Sequence, residues 1–138
     1  MDDLGSSVLS QAVAVRLLES VDAVTALRRG QVEARFEAMS KALTRLLPDW
    51  KWRKPAGGLT LWVRIPRGNA SELAQVAARH GVSVLPGPIC SPTNGFGDHL
   101  RLAFVPEPEE IREGIERLAR AWAAYAPAKG ARAARVLV

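Results

Sequence analysis

Cys90, His80 and His99 are the nucleophile and base types in this sequence. A thiol needs an imidazole beside it in space, not in sequence, so a Cys/His hydrolase is one reading. Their spacing fits no compact zinc pattern, because neither CxxC nor HxxxH occurs. His80 also has a plainer reading, a cation near the C-terminal end of a helix that Gly81 would stop. Gly57-Gly58 and Gly95-Phe96-Gly97 lack the GxGxxG and GxxxxGK patterns of phosphate loops, and turn geometry accounts for both. Arg101 stands apart. It lies between Leu100 and Leu102 in a strand-like stretch. A guanidinium there either reaches solvent from an open face or meets a carboxylate, because an unpaired buried charge is costly. Its planar fork suits bidentate carboxylate binding.

The elements that must position these residues follow from periodicity. Ser6 to Glu19 reads as a helix with Ser6 or Ser7 as N-cap. Val8, Leu9, Val13, Val15, Leu17 and Leu18 surround it, a pattern that predicts burial on several sides. After Ser20-Val21-Asp22 a second helix runs to Leu47, where Pro48 stops it, and Gly30 marks a place to bend or restart. Val32, Phe36, Met39, Leu43 and Leu46 form its apolar stripe. Leu59, Leu61, Val63 and Ile65 alternate with Thr60, Trp62 and Arg64 as a strand, and Trp50 to Arg53 can pair with it as a hairpin. Asn69 and Glu72 resemble a capping box for a helix over Ala70–His80. Val82–Leu85 reads as a short strand closed by Pro86-Gly87-Pro88. Leu100, Leu102 and Phe104 mark another strand. Pro108 opens a last helix whose buried face is Ile111, Ile115, Leu118, Trp122 and Tyr125, with Glu113–Arg117 and Glu116–Arg120 as i,i+4 pairs. The order, two helices then β-β-α-β-β-α, predicts an α+β fold with a small antiparallel or mixed sheet covered by helices.

Composition bounds the function. The chain has 138 residues, 48% hydrophobic and 24% charged, which suits one compact domain and is short for many large enzymes. The net charge of +5 leaves a basic nucleic-acid-interaction module open. Against it, Arg28, Arg29, Arg35, Arg53, Arg64 and Arg67 are scattered without aromatic interleaving. A helix-turn-helix over the first two helices fares no better, since Val24 and Leu27 leave few polar residues for a groove. No apolar run reaches the length of a membrane helix, Met1-Asp2-Asp3-Leu4 lacks the basic start of a secretory signal, and a single cysteine fits a reducing, cytoplasmic setting.

Three segments in order carry more. Lys54-Pro55-Ala56-Gly57-Gly58-Leu59-Thr60-Leu61-Trp62 resembles the P-x-G-G-x-x-x-W hairpin of class I/II pyridoxal-phosphate (PLP) aminotransferases. Gly81-Val82-Ser83-Val84-Leu85-Pro86-Gly87 is similar to their G-V-x-V-x-P-G strand and turn. Leu100-Arg101-Leu102-Ala103-Phe104, with the helix from Glu110 to Leu118, is similar to their L-R-L-x-F strand and I-x-x-G-I-x-R-L helix. Within that family the sequence also resembles the aminotransferase-like domains of MocR-type regulators of the GntR superfamily and the 2-aminoadipate-type transaminases.

The resemblance implies a fold-type-I small domain over 49–126, preceded by a large-domain helix over 1–21 and a linking helix over 22–48, with a flexible basic tail over 127–138. It implies that Arg101 binds the α-carboxylate of an amino acid or 2-oxo acid, and that Pro86 and Gly87 shape the mouth of that site. Cys90 stands where an aromatic residue is frequent in the family. The family's Schiff-base lysine belongs to the large domain, and Lys41, Lys51, Lys54 and Lys129 stand in no matching setting. The expectation is therefore a C-terminal part that contributes Arg101, does not hold PLP stably and does not transaminate alone. It would be completed by a large domain or a homodimer partner, and the first helix would self-associate if left uncovered. The alternative is an effector-sensing part of a regulator that meets DNA only through a separate winged helix.

Overall fold

The computed structural model describes residues 7–125. The chain divides into two compact units, one ending at Glu33 and one beginning at Ala34. In the first, helix α1 spans Val8–Leu18, and the side chain of its N-cap Ser7 accepts from the Ser10 amide at 3.4 Å. Helix α2, Val21–Leu46, begins here and passes through Gly30 unbroken. A helical glycine costs only about 1 kcal/mol relative to alanine, too little to force the expected restart. The burial predicted for α1 is not observed. None of its residues is buried, and Val8 is 79% exposed. An all-round apolar helix prescribes a partner surface but cannot itself supply one.

In the second unit, β1 (Lys51–Trp52), β2 (Thr60–Arg64), β3 (Leu85–Pro86) and β4 (His99–Ala103) form one sheet in the order β1-β2-β4-β3. Every pairing is antiparallel, so the sheet is not mixed. The two-residue period divides its faces. Leu61, Val63, Leu100 and Leu102 point to the covered face and are at most 4% exposed, while Thr60, Arg64, Arg101 and Ala103 are exposed on the other. The C-terminal half of α2, α3 (Ala70–Arg79) and α4 (Pro108–Ala124) supply the cover. Met39 and Leu43 of α2, Leu73 and Ala77 of α3, and Ile111, Ile115 and Leu118 of α4 are buried with the sheet's inner face. Removing a leucine-sized side chain from water contributes about 1.5–3 kcal/mol, so this layer dominates the unit's stability.

The caps depart from the local expectation in an instructive way. Asn69 Oδ1 accepts from the Ser71 and Glu72 amides, as predicted. Glu72 does not close the box on the Asn69 amide. The Tyr125 hydroxyl stands between them, accepting from Asn69 N–H at 2.9 Å and donating to Glu72 Oε2 at 2.8 Å. The end of α4 is thereby tied to the start of α3, and an alanine-sized group at Gly68 would lie 2.5 Å from that hydroxyl. The expected strand over Val82–Leu85 shrinks to Leu85–Pro86. Gly81 turns the chain with φ +75°, and Val82 donates its amide back to Ala77 O, so residues 82–84 stay out of the ladder. Trp122 is half-buried and Ala121 takes its place in the core. Glu113–Arg117 pairs as predicted, but Glu116 meets Arg45 of α2 instead of Arg120. Among the described residues no helix is long and apolar enough to cross a membrane.

Candidate functional site

The open face of the sheet is a grid set by register. Trp62 of β2 lies directly opposite Arg101 of β4, with Leu85 of β3 on Arg101's other side. One step along, Lys51, Arg64 and His99 form the next row across β1, β2 and β4. A shallow basin of about 620 Å³ opens over this grid, lined by Lys51, Arg53, Lys54, Trp62, Arg64 and Arg101 among others. Among the described residues no aspartate or glutamate lines it. Of the arginines that look scattered along the chain, Arg53 and Arg64 thus join Lys51, Lys54 and Arg101 in one basin with Trp62. Pairing between strands brings them together, which local spacing does not reveal.

Arg101 is exposed and has no ion-pair partner among the described residues, whereas Arg64 and His99 share one carboxylate. Arg64 Nε donates to Asp98 Oδ2 at 2.7 Å, and His99 Nδ1 donates to Asp98 Oδ1 at 2.6 Å. Burial, the largest single influence on Asp98, pushes its carboxyl up, but the bonds from Arg64 and His99 together with the His99 charge carry it below the usual range. Asp98 thus stays ionised and holds both partners in place. His99 stacks on Trp62, with centroids 5.4 Å apart and planes 20° apart. Phe96 meets both rings edge-on at 5.5 Å. An aromatic wall of three rings therefore stands beside Arg101.

Pro86 and Gly87 are buried at the end of β3 and the start of a 3-10 turn, Gly87–Cys90. Gly87 is held close to Phe96. A β-carbon on it would fall 2.2 Å from the Phe96 carbonyl oxygen and 2.8 Å from its Cβ. Phe96 itself sits at φ +60°, unusual for a residue with a side chain. Gly87 thus reaches the wall beside Arg101 through Phe96. Cys90 is exposed at the end of the turn. Among the described residues neither histidine bonds to Cys90. His80 caps α3, His99 is engaged by Asp98, and among the described residues no group of three or more His, Cys, Asp or Glu could hold a metal. The described residues thus bring no histidine to Cys90.

Comparison with known proteins identifies the family to which this small antiparallel α+β domain belongs. Residues 3–118 match the model of the aminotransferase class I and II family, and the chain belongs to that family. It is 42% identical over 88 residues to aromatic-amino-acid aminotransferase 1 of Thermococcus litoralis, covering 62% of this chain and 21% of that one. It is 29% identical over 122 residues to an uncharacterized aminotransferase of Saccharolobus solfataricus, covering 84% and 30%. Among solved structures, α-aminoadipate aminotransferase from Thermus thermophilus, complexed with N-(5′-phosphopyridoxyl)-L-leucine, aligns with a TM-score of 0.80 at 28% identity, over 88% of this chain and 32% of that one. The chain spans between about a fifth and a third of the length of these relatives.

PLP is the cofactor of this family, so the described residues can be tested for a place to hold it. The cofactor needs an amine for its aldehyde and a cradle of donors for its phosphate. Lys41 is exposed and paired with Glu37, Lys54 lies over the Phe36 ring at 5.6 Å, and Lys51 is exposed on the basin rim. Lys129 lies outside the described residues. The amides at the start of α3 are occupied by Asn69, and α4 begins with a proline, which has no amide hydrogen. These residues do not fit PLP.

Proposed function

We propose that this chain supplies the small-domain wall of an aminotransferase substrate site, with Arg101 binding the α-carboxylate of an amino acid or 2-oxo acid. The observation that carries the reading is the free guanidinium of Arg101 on the open sheet face, beside Trp62 in a basin without carboxylates. Arg101 orients the substrate by its carboxylate, and the Trp62, His99 and Phe96 rings keep water from one side of the contact. Pro86 and Gly87 set the mouth by holding Phe96 in place, with Cys90 at the rim. The lysine and phosphate donors for PLP belong to polypeptide other than residues 7–125, in a large domain or a partner copy. The isolated 138-residue chain therefore contributes substrate binding without turnover.

The test has two parts. A monocarboxylate such as valerate, titrated into the 15N-labelled chain, should shift the Trp62 indole resonance, and Arg101→Gln should abolish that shift. Equal binding by the variant would overturn the assignment. Mixed with PLP, an amino acid and a 2-oxo acid, the chain should show no transamination. Turnover with a borohydride-reducible PLP adduct at one lysine would contradict the division of labour.

A further inference from the structure

We infer that the open face of the sheet is a docking surface for single-stranded nucleic acid, with Lys51, Arg53, Arg64 and Arg101 along its phosphates and an unpaired base stacked on Phe96. This surface is independent of the Arg101 carboxylate reading and reaches well beyond Arg101.

The charges favour a polyanion. One carboxylate needs one guanidinium, yet cations gather here from β1, β2, β4 and the segment that follows β1. Lys51 lies directly opposite Arg64 on one side, and His99 lies opposite Arg64 on the other. Like charges placed opposite each other in a sheet are destabilising, so the Lys51–Arg64 pair carries a cost that an overlying polyanion reverses. Lys51, Arg53 and Arg101 are exposed and have no ion-pair partner among the described residues. Arg64 gives its Nε to Asp98, and Asp98 borders an adjoining cavity of about 310 Å³ instead of the basin. Two strand spacings separate β1 from β4, so the cations spread over about 10 Å. That spread suits a run of successive phosphates, not one small acid.

The rings favour unpaired bases. Along the chain the arginines have no aromatic residues interleaved with them, but the register supplies these in space. Trp62 stands opposite Arg101 and is stacked on His99. Phe96 lies nearly perpendicular to that stack and is 55% exposed, a large apolar ring left in water beside the cations. Gly87 packs against the Phe96 backbone, which fixes where that ring is presented. Stacking on an aromatic face is open to every base and adds to phosphate attraction without reading sequence. A duplex keeps its bases paired and leaves Phe96 none to stack on, and a phosphatidylserine headgroup has no planar ring. A single strand is the occupant that uses both features.

The experiment follows the fluorescence anisotropy of a labelled oligothymidylate of about ten residues titrated with the full chain. Four phosphate contacts on a single strand give a slope of log affinity against log salt of about −2.8, a weakening of about 20-fold between about 0.05 and 0.15 M salt. Lys51→Gln/Arg53→Gln should halve that slope to about −1.4 with every other basic residue intact. Its urea unfolding by tryptophan fluorescence should match the wild type; if it does not, the two single variants carry the test, each lowering the slope by about 0.7. Phe96→Leu should weaken binding about fivefold or more and leave the slope alone, because it removes a ring and no charge. Absence of binding at about 0.05 M salt, or a slope unchanged by loss of Lys51 and Arg53, would overturn the surface. Duplex DNA, polyphosphate or phosphatidylserine vesicles binding as tightly as the oligothymidylate, or full affinity in Phe96→Leu, would overturn its assignment to single strands.

Discussion

Replacing Gly87 with alanine tests whether the mouth and the aromatic wall are one mechanical unit. The added Cβ would sit 2.2 Å from the Phe96 carbonyl oxygen and 2.8 Å from the Phe96 Cβ. Ordinary carbon–oxygen contact lies roughly 1 Å further out, so the backbone at one of the two residues must move by about that much. Forced overpacking of this kind costs about 1–3 kcal/mol. Gly87 has no left-handed backbone, so alanine also restricts the unfolded chain and recovers about 0.4–1 kcal/mol. The net expectation is a loss of about 1–2 kcal/mol in urea unfolding followed by tryptophan fluorescence. Because Phe96 touches Trp62 edge-on, the Trp62 indole resonance should shift and valerate affinity should fall with it. Gly114→Ala is the matched control. A Cβ there meets nothing within 4 Å in the interior of α4, so it should stabilise the chain by up to about 1 kcal/mol and leave Trp62 alone. If Gly87→Ala proves as stable as the wild type with an unmoved Trp62 resonance, the coupling from turn to wall is refuted.

Three further outcomes follow from buried or shared polar groups. Tyr125→Phe removes an acceptor for the Asn69 amide and a donor to Glu72; chemical denaturation at neutral pH should show a loss of about 1–2 kcal/mol. Burial, with the bond to Glu72 and its charge, raises the Tyr125 phenol above its ordinary value against the opposing pull of the Asn69 amide, so its contribution is full below about pH 10 and is lost as pH climbs through the raised value. The phenylalanine variant should lack that alkaline loss. Asp98 is lowered, so its contribution is present above an unfolded pKa of about 3.9 and disappears as pH falls through the lower folded value. Asp98→Asn should flatten the acid limb of the stability profile, and an unchanged limb would mean that Asp98 holds neither Arg64 nor His99 in solution. Glu107→Gln deprives the buried Arg35 of its counter-charge and should cost about 1–3 kcal/mol by calorimetry, whereas Arg35→Met should be closer to neutral.

Much of the fold is legible in local pattern. The alternation around Leu61 and Val63, the run Leu100-Arg101-Leu102, the Asn69 cap and Pro108 at a helix start all correspond to observed elements. Each is decided by residues within one or two turns of one another. What escapes local reading is set at long range. Glu72 and Tyr125 are 53 residues apart in sequence yet share the cap of α3. Arg64 and Asp98 are separated by 34 residues, and Lys51 and Arg101 by more, so the convergence of cations on one basin depends on the pairing of β1 with β2 and β2 with β4. The apolar character of α1 is equally plain in sequence, but the partner that would bury it is not encoded in α1. Arg101 stands out in the sequence by its place between Leu100 and Leu102 and by the motif it shares with the family. Trp62 joins Arg101 on the open face only through the register that places the two opposite each other.

The rims of the sheet decide how this domain can meet others of its kind. An open β-face flanked by unpaired strand edges is a template for end-on growth into larger sheets. Here each edge strand is two residues long, one ending in Pro86, which has no amide hydrogen to donate, and the other beginning with the charged Lys51. A foreign strand finds almost no ladder to extend at either side. The domain is thereby shielded from fibril-like stacking while the open face of its central strands stays accessible.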